Sequence, residues 1–312
     1  MNPINNKPPL PRIKKGNKTI PLPIYNKNEI TVNNENKKCS PIFSFEDNSC
    51  IPLKFLIKMA QTYNEHFDDN IGEEIGIAET YDKEYESSYK IYLLKEFQDR
   101  FGPDQQDWIK QNFMKYMEDE YKLLFNDYTF RPEGPTDKHK WLSQLDIDKV
   151  IQQYEILHPD YHYLGCLPAD HIKLNNYETQ NINLEEHENK GITKFSFVSN
   201  TDRHTQPGQH WRMLYVDIVN GYIYFIDSVG SDPINDDLEF INKVKQYLEK
   251  NNRSIIYKIN KTKHQKGNSN CGVYGIYFTE QFLLGKSFEE ITSNPVPDKT
   301  MDEYRKIYFS EH

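Results

Sequence analysis

The sequence has 312 residues, of which 37% are hydrophobic, and it carries a formal net charge of -9. This length allows one large domain or two ordinary domains with a substantial core. No apolar run approaches the roughly 18 residues that a membrane-spanning helix needs, and the acidic balance argues against extended contact with nucleic-acid phosphates, so we expect neither a membrane nor a nucleic acid as the main partner.

The first 45 residues are basic and rich in Pro, Asn and Lys, with eight Lys or Arg against two Glu up to Lys38. They show no lasting hydrophobic periodicity and no apolar stretch of the signal-peptide type. We therefore predict that residues 1–45 form a mostly disordered tail and that the protein stays inside the cell. Only this tail is expected to contact nucleic acid or another acidic partner.

The next segment predicts a helical accessory domain over residues 46–130. Helical spacing of apolar residues begins within 50–67 and returns in two stretches that Gly102 and Pro103 separate. The segment FRPEGPTDKHK, at 130–140, contains two prolines and a glycine and indicates a domain boundary. Residues 131–312 are accordingly predicted to form a second domain.

The second domain is predicted to combine helices with strands. Ser143 is a candidate N-cap for a helix. The apolar positions of that helix are Ile147, Val150, Ile151, Tyr154 and Ile156. Runs rich in β-forming residues predict strands at 192–200, 210–218, 222–228 and 253–260. Asn220-Gly221 lies between two of these runs and predicts a hairpin, and an apolar helix is predicted to follow Cys271 and to end at Gly285.

The four cysteines are Cys39, Cys50, Cys166 and Cys271, and none of them forms a CxxC pair. Their scatter does not indicate a disulfide framework, so we expect free thiols in a reducing compartment. The sequence shows no metal-ligand set and no phosphate-binding loop, and we expect neither a metal nor a cofactor. One well-placed cysteine with distant histidines is typical of a thiol enzyme.

Cys271 is the candidate nucleophile because it follows the polar loop HQKGNSN and precedes the apolar helix. A helix N-terminus and a neighbouring imidazolium both favour the reactive thiolate. Gly272 has no side chain and is expected to let a substrate backbone approach. A cysteine at a helix start is most often structural when it stands alone, so the interpretation depends on other residues.

His210 is the candidate base, since it precedes a predicted strand at the end of a polar loop. Asp227 ends the other strand of the same predicted hairpin, so strand pairing is expected to bring the two side chains together and to orient the imidazole. Asp217 competes for this role but lies beside the turn. Gln265, in the loop before Cys271, and the backbone N–H of Cys271 are suited to donate hydrogen bonds to an oxyanion.

The residues HW at 210–211, DS at 227–228, Gln at 265 and NCG at 270–272 have a specific order and spacing. With them, the chain resembles the cysteine proteases that process SUMO and related ubiquitin-like proteins, together with the adenovirus protease adenain. The resemblance covers about residues 135–312. It implies an α+β, papain-related fold with a central antiparallel-rich sheet flanked by helices, here with an N-terminal helical extension.

In that family two tryptophans flank a narrow passage for a Gly-Gly main chain, and they match Trp141 and Trp211. The resemblance therefore implies a cysteine endopeptidase that acts on a protein with a Gly-Gly-X site. The helical extension and the segment PDYHYLGCLPAD, at 159–170, look more like the maturation proteases of large DNA viruses, of the African swine fever virus type. That likeness implies processing of viral structural polyproteins, in the host cytoplasm or the virion.

Two alternatives remain open. One is a deconjugating protease that removes SUMO, ubiquitin or a similar protein from host conjugates, because the same catalytic residues would serve an isopeptide bond. The other is a non-catalytic module that keeps the fold to hold a ubiquitin-like tail. All four catalytic positions carry competent residues, which favours an enzyme over the binding module.

Overall fold

The structure is a computed structural model that describes residues 12–15, 18–21, 25–71, 83–135, 137 and 139–310. The chain forms two compact units, Met1–Arg131 and Pro132–His312. Among the described residues, none of the helices combines the length and the apolar character that a bilayer-spanning segment requires.

The first unit is mainly helical among its described residues. Its regular elements are β1 (Arg12–Lys15), β2 (Lys18–Pro21), α1 (Leu53–Asn64), α2 (Lys83–Phe101) and α3 (Asp119–Tyr128). Aromatic side chains fill the core of the unit, where the ring of Phe97 stacks on that of Trp108 with 5.3 Å between centroids. The buried indole of Trp108 donates a hydrogen bond to the carbonyl of Gly102, so its polar group is satisfied.

Residues 25–45 differ from the disorder that their composition predicts. Ile30 is buried in the helical core of the first unit, and the ring of Tyr25 stacks on that of Tyr92. The few apolar residues of this segment are thus spaced to reach that core, which composition averaged over the segment does not reveal. Residues 1–11, 16–17 and 22–24 of the predicted tail lie outside the described residues.

The same segment corrects the expectation that all cysteines are free. Cys39 and Cys50 form a disulfide, whereas Cys166 and Cys271 are free and buried. Cys39 lies in a β-bridge with Phe130, so long-range contacts, which spacing does not show, position the first sulfur. The two cysteines are separated by 11 positions in the sequence. A disulfide that closes a loop of about this length stabilises a fold by roughly 3 kcal/mol, because it lowers the entropy of the unfolded chain.

The second unit is built on a five-stranded sheet of order β3-β4-β5-β6-β7. Its strands are β3 (Tyr161–Leu167), β4 (Lys194–Asn200), β5 (Trp211–Asp217), β6 (Tyr222–Ile226) and β7 (Ile256–Ile259). The pairs β4-β5 and β5-β6 are antiparallel, whereas β3-β4 and β6-β7 are parallel. The sheet is therefore mixed, and with helices on both faces it confirms the predicted α+β class.

Helices cover both faces of this sheet. They are α4 (Gln144–Leu157), α5 (Leu184–Asn189), α6 (Asn235–Lys250), α7 (Cys271–Leu283), α8 (Phe288–Thr292) and α9 (Asp298–Tyr308). Alternate residues of β5 point to opposite faces. Met213 packs in one core with α4, α7, α8 and α9, while Leu214 packs in a second core with α5 and α6.

The predicted N-cap and hairpin are both present. The Ser143 hydroxyl accepts a hydrogen bond from the N–H of Asp146 at the start of α4. The hairpin of β5 and β6 turns at Asn220-Gly221, where Gly221 has φ of +70° and a Cβ would lie 1.8 Å from the carbonyl oxygen of Ser254. Only glycine fits that position, so the backbone itself fixes where the two strands reverse.

Candidate active site

Cys271 is the first residue of α7, and its side chain is buried. A Cβ on Gly275 would lie only 3.3 Å from the side chain of Val198, which shows that α7 packs closely on the sheet. The sulfur is thus held at a helix N-terminus, where the backbone dipole favours negative charge. A cysteine in such a place is suited to act as a thiolate nucleophile.

The hairpin brings His210 and Asp227 together. β5 begins directly after His210 and β6 ends directly before Asp227, and the pairing of Met213 with Ile226 sets the register. Nε2 of His210 lies 2.7 Å from the Asp227 carboxylate. This contact leaves Nδ1 as the ring nitrogen for another partner, and the His210 ring also interacts with the Cys271 side chain.

Charge explains why His210 is protonated at neutral pH. Burial lowers the pKa of His210, but the hydrogen bond with Asp227 and the interactions with Cys271 outweigh it and raise that pKa to about 9. For Asp227, burial raises the pKa of the carboxyl, while the hydrogen bond with His210 and the N–H of Val229 hold it below its ordinary value. The pair is therefore an imidazolium against a carboxylate, and the imidazolium can in turn stabilise a thiolate.

Asp217, the competing carboxylate, has another function. Its side chain accepts hydrogen bonds from the backbone N–H groups of Val219 and Asn220 at 3.1 and 2.9 Å. It thereby closes the turn of the hairpin, at the opposite end of β5 from His210. The geometry selects Asp227 as the partner of His210.

Gln265 is buried and its amide is fixed by two hydrogen bonds. Its Oε1 accepts from the Ser228 hydroxyl at 2.7 Å, and its Nε2 donates to the carbonyl of Gly267 at 3.0 Å. An amide NH₂ has two hydrogens, so one remains for an oxyanion. Ser228 follows Asp227 directly, so one short segment positions both the partner of the imidazole and the candidate oxyanion donor.

The two predicted substrate tryptophans line one groove of about 410 Å³. Trp141 is 45% exposed. The indole of Trp211 is half-buried and donates a hydrogen bond to the carbonyl of Leu142 at 3.0 Å. Gln209 and Trp211, the neighbours of His210 in the chain, both belong to the groove lining. The groove therefore adjoins the His210 side of the candidate site.

Gly272 is placed differently from the prediction that a substrate backbone approaches it. It is buried, and a Cβ there would lie 3.0 Å from side-chain atoms of Leu142 and Ile147 and 3.3 Å from the Trp211 ring. Its small size therefore lets α7 pack against α4 and Trp211. Gly272 contacts Trp211, which lines the groove, and is not itself part of the lining.

Helix α9 holds the loop that precedes Cys271, a contact that the sequence alone does not predict. The carboxylate of Asp298 accepts hydrogen bonds from the backbone N–H groups of Lys266 and Gly267 at 3.0 and 2.8 Å. The side chain of Asn270 donates to Asp302, one helical turn later, at 2.9 Å. One face of α9 thus fixes the backbone on the way to the nucleophile.

Arg305 lies a further turn along the same face of α9 and is buried. Its guanidinium donates to the side-chain oxygen of Asn270 at 2.9 Å and to the carbonyl of Ser269 at 2.7 Å. Its charge also interacts with Cys271. Burial lowers the pKa of Arg305, yet an arginine stays protonated at neutral pH. Arg305 is therefore a positioning residue that also places a cation near the thiol.

We expect Arg305→Met to lower kcat/KM by roughly 10- to 100-fold, because a charge-assisted pair of hydrogen bonds is worth about 1.5–3 kcal/mol. Alkylation of Cys271 by iodoacetamide should slow as well, since the thiolate loses a nearby cation. Arg305→Lys should recover little of the lost kcat/KM, because an ammonium does not span the Asn270 and Ser269 oxygens in the way a guanidinium does.

Lys306→Ala is the matched control, since Lys306 lies on the same helix with an exposed side chain and should leave both rates unchanged. Thermal unfolding of every variant shows whether it is folded. An Arg305→Met enzyme that is alkylated and turns over at the wild-type rates would contradict this role.

Comparison with known proteins gives a consistent result. The family model described as the Ulp1 protease family, C-terminal catalytic domain, matches residues 200–312, a range that contains His210, Asp227, Gln265 and Cys271. A protein of Acanthamoeba polyphaga mimivirus that is named as a thiol protease is 35% identical over 284 residues, which cover 87% of this chain and 92% of the relative. A cysteine protease of African swine fever virus is 25% identical over 195 residues, covering 58% of this chain and 71% of the relative.

A solved structure supports the same fold. The crystal structure of the African swine fever virus protease matches with a TM-score of 0.59 at 17% identity, over 91% of this chain and 99% of that one. At this level of identity the likeness concerns the fold and not the substrate. The predicted α+β protease fold is confirmed.

Proposed function

Because this chain belongs to the Ulp1 protease family and is a cysteine protease, we propose that it is an endopeptidase that cleaves structural polyproteins of a large DNA virus after Gly-Gly-type sequences. The observation that carries the Gly-Gly specificity is the groove beside His210, which both Trp141 and Trp211 line. Indole walls leave room for a main chain without side chains. The viral relatives, which are named as thiol and cysteine proteases, support a viral protease; the polyprotein substrate and action in the host cytoplasm or the virion are part of the same proposal.

In the proposed mechanism the residues of the site act one after another. The thiolate of Cys271 attacks the carbonyl carbon of the second glycine, and the oxyanion accepts hydrogen bonds from the Cys271 N–H and the Gln265 amide. His210 then gives its proton to the leaving amine as the carbon–nitrogen bond breaks. His210, again a base, takes a proton from water, whose oxygen attacks the thioester; the acid product leaves and the Cys271 thiolate and the His210 imidazolium are restored.

We expect a peptide series to test the specificity directly. Gly-Gly-X peptides should be cleaved, whereas Ala-Gly-X and Gly-Ala-X peptides should lose about 100-fold or more in kcat/KM, because a methyl group clashes with a passage shaped for glycine. The products are identified by mass spectrometry. Equal cleavage of all three series would contradict the Gly-Gly proposal without affecting the assignment as a cysteine protease.

The alternative substrate class is a ubiquitin-like conjugate, which the name "SUMO-1 cysteine protease" given to some viral relatives favours. Fusions of SUMO or ubiquitin to a reporter, assayed beside Gly-Gly-X peptides, separate the two classes. A kcat/KM for a fusion that exceeds the peptide value by orders of magnitude indicates recognition of the folded ubiquitin-like domain, and therefore deconjugation. Similar values for both indicate that the extended Gly-Gly segment is all that the enzyme reads.

A further inference from the structure

Two histidines and a glutamate meet at one end of the sheet, outside the candidate active site. His162 lies in β3, Glu178 begins a short 3-10 turn, and His187 lies in α5. Nε2 of His162 is 2.9 Å from the Glu178 carboxylate, and Nε2 of His187 is 2.6 Å from the other oxygen of the same group. The candidate ligand atoms of all three residues lie within 4.8 Å of one another.

We propose that His162, Glu178 and His187 bind one Zn²⁺ ion that stabilises this end of the second unit. Imidazole nitrogen and carboxylate oxygen are ordinary zinc ligands, at about 2.0–2.2 Å. A tetrahedral ion with such bonds sets its ligand atoms roughly 3.4 Å apart, so each nitrogen–oxygen distance in the cluster has to lengthen by less than about 1 Å. A water molecule completes the coordination, since the Glu178 side chain is exposed.

A second carboxylate orients the first histidine for this function. Nδ1 of His162 lies 2.8 Å from Oε1 of Glu155, which also accepts a hydrogen bond from the N–H of Tyr163. A proton on Nδ1 leaves the lone pair of Nε2 facing Glu178 and His187. Metal-bound histidines characteristically donate their other N–H to such a carboxylate. Together, Glu155 and Glu178 supply two negative charges to balance the ion.

Packing also holds the two imidazoles in place. Their rings stack with 5.1 Å between centroids, and each meets the ring of Phe195 edge-on. His162 and His187 therefore present their Nε2 atoms to the same carboxylate with little freedom to turn away. A site with fixed ligands loses less conformational entropy when the ion binds.

The position of the cluster indicates a structural function. Its ligands tie the start of β3 to the long connection between β3 and β4, whose described secondary structure consists only of short helices and turns. Phe195 pairs with His162 at one end of β4, and Asn200 pairs with Trp211 at the other. These two positions on β4 are about 17 Å apart, which separates the cluster from the Trp211 side of the candidate active site. The ion would thus stabilise the folded conformation of this connection. The zinc proposal is independent of the proposed substrate of the protease.

Zinc binding is best measured on the Cys271→Ala protein, because a free thiol beside His210 is itself a zinc ligand. The protein is stripped with a chelator and titrated with Zn²⁺ by calorimetry, and retained metal is counted by mass spectrometry after gel filtration. We expect one Zn²⁺ per chain and a higher thermal unfolding temperature in its presence. Cobalt(II) should give the visible spectrum of a four-coordinate nitrogen–oxygen site.

The variants distinguish a zinc site from a network of hydrogen bonds. Glu178→Gln keeps the hydrogen-bonding shape and should lower the affinity at least tenfold, and Glu155→Gln should lower it about 10-fold through His162. His158→Ala, at a nearby histidine outside the cluster, should bind zinc as the parent does. Absence of saturable binding to folded Cys271→Ala protein, or binding that persists in a folded His162→Ala/His187→Ala variant, would overturn the proposal.

Discussion

Cys271→Ala is expected to abolish cleavage, with a loss of at least about 10⁴-fold in kcat/KM, while the protein stays folded. In the proposed mechanism the sulfur is the atom that forms the bond to substrate, and a methyl group cannot act as a nucleophile in its place. The side chain is small and buried, so removing one atom should change the unfolding temperature little. His210→Ala should produce a loss of similar size, because the thiolate then has no imidazolium beside it.

Cys166→Ala is the matched control for the nucleophile. Cys166 is the other free cysteine of the structure and is equally buried, but it lies in β3, where it contacts the Tyr163 hydroxyl. Its loss should leave turnover unchanged. A peptide vinyl sulfone should label wild type and Cys166→Ala and spare Cys271→Ala; an adduct that survives Cys271→Ala would refute the assignment of the nucleophile.

Asp227→Asn is expected to lower kcat/KM on the order of 10³-fold and to change its dependence on pH. In the wild type the pKa of His210 is raised to about 9, so the active imidazolium is present at neutral pH and is lost as the pH rises through about 9. Without the carboxylate, burial still lowers that pKa while its main opposing interaction is gone. The alkaline limb of the pH–rate profile should therefore move to lower pH, although the interactions with Cys271 still favour the imidazolium.

The same linkage applies to stability. The raised pKa of His210 contributes stability that is complete below about pH 6.5 and is lost as the pH rises through about 9. The depressed pKa of Asp227 contributes stability that is lost on the acid side, as the pH falls through its folded-state value.

Asp217→Asn is the control for the pH–rate prediction, since Asp217 closes the hairpin turn. If Asp217→Asn shifts the alkaline limb and Asp227→Asn does not, the assignment of the two carboxylates is reversed.

Local signals explain which parts of the fold were predictable. The hairpin of β5 and β6 follows from Asn220-Gly221 between two β-rich runs, and α4 follows from Ser143 and a helical apolar stripe. β3 was missed because Gly165, at φ of +96°, and a register shift between Tyr163 and Cys166 interrupt its alternation. The disulfide was missed because it depends on where tertiary packing brings two sulfurs.

The residues of the candidate site also differ in whether local signals or long-range contacts place them. His210 and Asp227 could be paired from the sequence because they lie on one hairpin, where strand register converts spacing into proximity. The sequence places Gly272 in the substrate groove because it does not show the contacts of this glycine with Leu142 and Ile147. Arg305 was missed because it lies on an amphipathic helix whose charges look solvent-exposed until the contact with Ser269 is seen.

The hydrogen bonds from α9 have a consequence for biosynthesis. Ribosomes make proteins from the N-terminus, so the candidate site residues His210, Asp227, Gln265 and Cys271 emerge before the α9 residues that hold the loop. For the few seconds that this takes at ordinary rates of translation, the loop at 265–270 lacks the contacts that hold it. The nascent chain should consequently carry all four candidate catalytic residues while its activity is still low. A protease that becomes fully active only after α9 has docked is less able to cut neighbouring chains on the same polysome.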